Sequence, residues 1–283
     1  MASTLYFPDQ HLSCDTPELF EMTRTDYVNV ARKLVISNTR HIHSGNSQVY
    51  LATLSCEGFP TYDVVCKVTF GKRAIARLRQ EGQIYYQLRM LQGLVIPACY
   101  GLFEGELEDG PSACLVTEYC GVPMEKYLNY MDLKFRYRVI KGLIAIHGRC
   151  VRHGDFRESN IMVDKDQRPW IIDFDRATKH DCHCTKVIPL NVPTPYRDEF
   201  GCDEIWFACD SANVWIPNTA QYLGGYVAVK YLESPELLAS LAPEDVPKAK
   251  ALEEARLTIQ RYYQKYGTEV GERVVCPAES RRR

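Results

Sequence analysis

From His153 to Asp175 the chain reads HGDFRESNIMVDKDQRPWIIDFD, and this stretch restricts the fold more than any other. Two short apolar runs, IMV and WII, flank a polar turn, the pattern of a β-hairpin. Asp155, Arg157 and Asn160 precede the hairpin, and Asp173 ends it. Five positions separate Asp155 from Asn160, so a tight loop can turn both side chains toward one site. Thirteen more, folded as a hairpin, return Asp173 to the same place. Phosphoryl transfer uses such a set: one carboxylate orients a hydroxyl, a cation meets developing phosphate charge, and an amide with a second carboxylate holds magnesium. In the competing reading, Asp155 and Asp173 only cap turns. The chemical reading requires a phosphate-binding lysine elsewhere in the chain.

The preceding sequence offers one. Lys67 stands in the apolar run VVCKV, where an inward lysine needs an acidic partner, and Glu81 in the following helical segment is the candidate. ARKLVISNTR, SQVYLATLS, YDVVCKVTF, ACYGLFEGE and SACLVTEYC are β-branched and aromatic runs between turn residues, which predicts a small antiparallel sheet. KRAIARLRQEGQIYYQLRMLQG has apolar residues near helical spacing and ends in Gly93. FRYRVIKGLIAIHGRC, SPELLASL and VPKAKALEEARLTIQRYYQKYG predict further helices. The expected class is therefore α+β. Residues 1–26, without a sustained period, form an arm; 27–120 form a strand-rich nucleotide-binding lobe with one main helix; 121–283 form a mostly helical lobe carrying the catalytic loop, metal site and substrate loop.

Composition narrows the partners. A net charge of −2 gives no general grip on nucleic acid, whose phosphates reward a strongly basic face. The start MASTLYFPDQ lacks a basic, apolar leader, and no run approaches the roughly 18 apolar residues of a membrane span, so a cytoplasmic chain with no membrane partner is expected, with a nuclear one left open.

In their order, these elements resemble the protein-kinase-like superfamily from about Leu34 to Asp175. The resemblance implies a bilobal kinase-like fold, with an antiparallel-sheet N-lobe and a mostly helical C-lobe, that uses ATP and magnesium. It implies that Lys67 binds ATP phosphates and pairs with Glu81. LVTEYCGVP looks like the adenine-gripping hinge, with Thr117 as gatekeeper and Glu118 to Cys120 as hinge residues. Asp155 would orient the acceptor hydroxyl, Arg157 would stabilise the transferred group, and Asn160 and Asp173 would bind magnesium.

Three positions depart from the family pattern. The phosphate-covering loop is HIHSGNSQVYLA, with Gly45 as its only glycine and so few places for backbone to approach phosphate. Gly154 stands where many protein kinases have an arginine that pairs with a phosphorylated loop, and Asp175 stands where most have glycine. HGD with IIDFD is similar to kinases of small molecules, such as aminoglycoside and choline kinases, and EGQIYYQLRMLQGLVIPACYG is similar to kinase-like proteins of fungi. The expected activity is γ-phosphoryl transfer to a hydroxyl acceptor, a small metabolite in preference to a protein. The alternatives are a pseudokinase scaffold and a Ser/Thr protein kinase. Glu199, Asp203, Glu204 and Asp210 would attract a cationic metabolite or else serve as solvated loop charges.

Most of the 12 cysteines stand singly in apolar segments, as small hydrophobes do. Cys182 and Cys184 in HDCHC, followed by Cys202 and Cys209, are the exception. Paired soft ligands of this kind can hold zinc, alone or with His180 or His183. The competing reading packs these thiols among Phe200, Trp206, Phe207 and Trp215.

Overall fold

The computed structural model describes residues 3–8, 18–26, 32–184, 188–189, 192–266 and 273–274. By contacts the chain divides into two units, Met1–Tyr127 with Ala145–Asp181, and Leu128–Ile144 with Cys182–Arg283.

Alternation of buried and less buried side chains, clearest in Gln48–Cys56 and Tyr62–Phe70, marks the strands of the first unit. Its strands are β1 (Thr4–Pro8), β2 (Leu19–Arg24), β3 (Lys33–Ser44), β4 (Gln48–Cys56), β5 (Tyr62–Phe70), β6 (Cys99–Leu107) and β7 (Gly110–Glu118). They close into a barrel in the order β1-β2-β6-β7-β5-β4-β3. Tyr50, Ala52 and Leu54 of β4 and Val64, Cys66 and Val68 of β5 fill its core with Ile36, Phe103 and Val116. Residues 1–26 carry little pattern in sequence, yet supply two of these strands. Leu5, Phe7 and Met22 are fully buried, and β1 pairs antiparallel with β2 and parallel with β3. That closure covers the edges a five-stranded sheet would leave open.

Helix α1 (Lys72–Gln87) buries Ile75, Leu78, Glu81, Gly82 and Tyr85 along one face. At Gly82, mid-helix, a Cβ would be in ordinary contact with the Leu102 side chain at 3.4 Å, so the helix lies close on β6. Five short strands complete the unit: β8 (Val122–Pro123), β9 (Val151–Arg152), β10 (Ile161–Val163), β11 (Pro169–Ile171) and β12 (Thr178–Lys179), the last paired to β9. β10 is central, antiparallel to both β11 and β8. The β10–β11 turn is tied by Asp164, which accepts from the Asp166 and Arg168 amides and from the Arg168 and Trp170 side chains.

The second unit is helical. It holds most of α2 (Leu133–His147), whose N-cap Asp132 accepts from the Phe135 amide at 2.9 Å, then α3 (Arg197–Phe200) and α4 (Asp203–Ser211). The strands β13 (Ile188–Pro189), β14 (Thr219–Tyr222), β15 (Gly225–Ala228) and β16 (Arg273–Val274) pair as β13–β16 and β14–β15. α5 (Pro235–Ala239) is capped by Ser234, which accepts from the Leu237 amide at 3.0 Å. α6 (Lys248–Tyr266) buries Ala251, Ala255, Thr258 and Tyr262 at helical spacing, and Ala255 and Tyr262 join Tyr222, Leu232 and Leu238 in a small core. The architecture is thus mixed α and β with a sheet-rich N-terminal part. Among the described residues, no helix is long and apolar enough to cross a membrane.

Candidate active site

Lys67 lies on β5 between Cys66 and Val68, whose side chains enter the barrel core, so its own side chain leaves the barrel. Its Nζ donates to Glu81 Oε2 at 2.8 Å and to Asp173 Oδ1 at 2.6 Å. Burial alone would lower the Lys67 pKa, but the Glu81 and Asp173 carboxylates outweigh it and raise the value, which keeps the ammonium charged. Glu81 is buried, and that burial raises its own pKa against the opposing pull of Lys67. Its second oxygen, Oε1, accepts from the Phe174 amide at 3.3 Å. The Glu81 side chain is 3% exposed and the Asp173 side chain 31%, so Glu81 is the internal brace and Asp173 the carboxylate a ligand can reach.

The loop from His153 to Asn160 is held by His153, which is fully buried. Its Nε2–H donates to the Ile172 carbonyl at 2.9 Å, and Nδ1 accepts from the Asp155 amide at 3.3 Å. One donor and one acceptor nitrogen describe a neutral imidazole. Its ring also packs on Phe174, 5.0 Å between centroids, while Tyr85 of α1 meets the same Phe174 edge-on at 5.3 Å. Phe174 therefore anchors the Asp173–Asp175 turn both to the loop and to α1.

Asn160 ties the set together. Its Nδ2 donates to the Asp155 carbonyl at 2.9 Å, which leaves Oδ1 as the end able to face a cation. The Ile172 amide donates to the Asn160 carbonyl at 3.0 Å, so Asp173 follows directly beside it. Arg157 Nη2 lies 3.0 Å from Asp155 Oδ2. Arg176, which sequence reasoning did not single out, brings Nη1 to 3.9 Å from Asp155 Oδ1.

Two backbone features show how tightly the site is built. Gly154 has φ 80°, and a Cβ there would fall 2.3 Å from the Arg176 carbonyl oxygen, so no residue with a side chain fits. The missing arginine beside Asp155 thus has a steric cause. Asp173 has φ 67°, a left-handed conformation that a non-glycine residue adopts only when its surroundings hold it; here Lys67 bonds its side chain.

Asp175 completes the oxygen set. Among the described residues its Oδ1 is buried with no hydrogen-bond partner, and the carboxylate lies close enough to Glu81 to raise that residue's pKa. An orphaned carboxylate oxygen two residues from Asp173 fits a hard cation, as do the oxygens of Asn160 and Asp173. The sequence signal was the repeated acid in IIDFD, read there only as a departure from glycine.

At the hinge, the Glu118 amide donates to the Ala98 carbonyl at 2.8 Å and the Tyr119 amide to the Asp63 carbonyl at 3.1 Å. Those two amides are therefore committed within the chain. Burial pushes the Cys120 thiol up to about 12, so it stays an inert thiol. Gly121 has φ 111°, and a Cβ would lie 2.0 Å from the Val163 carbonyl, bringing the hinge directly onto β10. Gly45 is at the tip of the β3–β4 hairpin, donating to the Ser47 carbonyl at 3.1 Å.

In the second unit, the Cys182 and Cys202 thiols share a hydrogen bond, which with burial raises the Cys182 pKa. Burial raises that of Cys209, and the neighbouring Cys184 and Cys202 add to it. Phe200 and Trp206 pack on Trp215 at 5.3 and 6.1 Å between ring centroids, so aromatic packing and thiol grouping occur in the same unit.

Residues 138–200 match the model of the phosphotransferase enzyme family. The matched span contains Asp155, Arg157, Asn160, Asp173, Asp175 and Arg176, while Lys67 and Glu81 lie outside it. Among curated proteins, none matches the chain. The family match supports a kinase-like phosphotransfer enzyme.

Proposed function

We propose that this chain transfers the γ-phosphoryl group of ATP to the hydroxyl of a small metabolite, with the barrel, α1 and the catalytic loop acting as the nucleotide-binding and catalytic part of a protein-kinase-like fold. The observation that carries the reading is the pair of hydrogen bonds that Lys67 donates to Glu81 and Asp173 at 2.8 and 2.6 Å, which joins the strand lysine to the end of the β10–β11 hairpin. A lysine with one buried and one accessible carboxylate is poised to exchange the accessible partner for phosphate oxygens.

Each residue then has a role. Asp155 accepts the acceptor's proton as its oxygen bonds to the γ-phosphorus, while the bond to the bridging oxygen breaks and ADP leaves. Arg157 meets the charge on the transferring group, and the neutral His153 and the Asn160 amide hold Asp155 in register. Cys120 offers its peptide to adenine, and the Gly45 hairpin covers the phosphates. Asn160, Asp173 and Asp175 would hold magnesium, which when bound neutralises phosphate charge. Asp175 in place of glycine would count toward the pseudokinase alternative as a defect, but a buried carboxylate oxygen without a partner among the described residues favours a cation-binding role.

Thermal unfolding with ATP tests the reading. Stabilisation should be larger with magnesium than with EDTA, and Lys67→Ala should lose most of it. Equal stabilisation in both conditions would count against metal-assisted nucleotide binding and toward a scaffold.

A further inference from the structure

We infer that Arg176 is a specificity-determining residue that recognises an oxyanion, carboxylate or phosphate, on the hydroxyl acceptor; this rests on the phosphotransfer reading above. Asp155 has two guanidinium neighbours, Arg157 at 3.0 Å and Arg176 at 3.9 Å. One cation balances its charge. The second guanidinium is not needed to balance that carboxylate, which receives the acceptor's proton.

Arg176 is placed rigidly but not used up. It sits in a turn closed by the Ala177 amide donating to the Phe174 carbonyl at 3.1 Å. Phe174 is packed between His153 and Tyr85, and β12 beyond the turn is paired with β9. The close approach of Gly154 to the Arg176 carbonyl fixes the turn against the catalytic loop. Its side chain, by contrast, is 67% exposed, and the contact to Asp155 is at the outer limit of an ion pair. A guanidinium has five N–H donors in a planar fork, so one long contact leaves most of them for a bidentate oxyanion.

A cationic acceptor, the expectation drawn from the acidic loop, is correspondingly less well supported. Of its four acids, Asp203 is paired with Arg197 at 2.8 Å, Glu204 is buried, and burial raises the Asp210 pKa. Glu199 alone of the four shows none of these constraints.

The experiment uses full-length protein, magnesium and γ-labelled ATP with a metabolite extract split beforehand by ion exchange into anionic, neutral and cationic fractions. Label should appear in small molecules from the anionic fraction. Treating that fraction with alkaline phosphatase before the assay distinguishes a phosphate ester, whose acceptor activity is lost, from a carboxylate, whose activity survives. Arg176→Gln should raise the KM for the anionic acceptor about ten- to a hundredfold, with the KM for ATP changed less than about twofold, and Arg176→Lys should recover part of the loss. Label in the neutral or cationic fraction, label on protein alone, ATP hydrolysis with no labelled metabolite, or an equal rise in the ATP KM would each overturn the inference. Failure of ATP to bind or be cleaved at all would instead defeat the phosphotransfer reading.

Discussion

Gly154 and Arg176 meet backbone to backbone: a Cβ on Gly154 would lie 2.3 Å from the Arg176 carbonyl oxygen, at a φ of 80°. Gly154→Arg would place there the residue many protein kinases carry. It should destabilise the chain by more than about 2 kcal/mol, from the left-handed backbone together with the overlap. Urea unfolding of the variant checks this. Unchanged stability would mean that the catalytic loop has room the geometry denies it.

Asp155→Asn tests the chemistry separately from the fold. The change is nearly isosteric, and the Asn160 bond to the Asp155 backbone carbonyl survives it. Turnover should fall by about 10²–10⁴, the range of a general base, with nucleotide binding retained. Label transfer at close to the parent rate would remove Asp155 from its role.

Glu81 gives the stability a pH dependence of definite sign. Burial raises its pKa above the usual 4.5, so just above that value the folded chain still holds a proton that the unfolded chain has released. The contribution is full below pH 4.5 and is lost as the pH rises through the folded value. Lys67, also raised, contributes fully below its usual 10.5 and loses its contribution only at still higher pH. The stability of the parent relative to Glu81→Gln should therefore fall on going from pH 4.5 toward neutrality, by at most about 1.4 kcal/mol per pH unit. Parallel stability curves for the two chains would show that Glu81 does not titrate there.

Zinc on thiols drawn from Cys182, Cys184, Cys202 and Cys209 is our proposal for the second unit, and Cys182 and Cys202 are the two of these whose sulfurs lie within 4.8 Å of each other in a group able to hold a metal. The shared Cys182–Cys202 hydrogen bond and burial favour protonated sulfur, and zinc must displace those protons. Zinc titration of the reduced protein should show uptake that tightens with pH, about a hundredfold per unit where two protons leave, and Cys202→Ser should weaken it severely. No uptake at pH 8 would leave packing as the reason for the group.

Local pattern was enough for the elements whose burial repeats along the chain. Alternation wrote β4 and β5, with Tyr50, Ala52, Val64 and Cys66 inside, and helical spacing wrote α6, with Ala251, Ala255, Thr258 and Tyr262 on its buried face. The partnership of Lys67 with Glu81 was legible because a lysine in an apolar strand needs an acid within reach. Tertiary structure decided what depends on distant partners. β1 and β2 are strands because Leu5, Phe7 and Met22 find a barrel to fill, and β2 finds an edge on β6 far along the chain. Asp175 became a candidate ligand because its oxygen is buried without a donor among the described residues, and Arg176 joined the site because a glycine lets its turn close on the loop. Periodicity records which side of an element faces inward; it carries no record of which remote group stands there, and that is set only when loop closure and packing bring the two together.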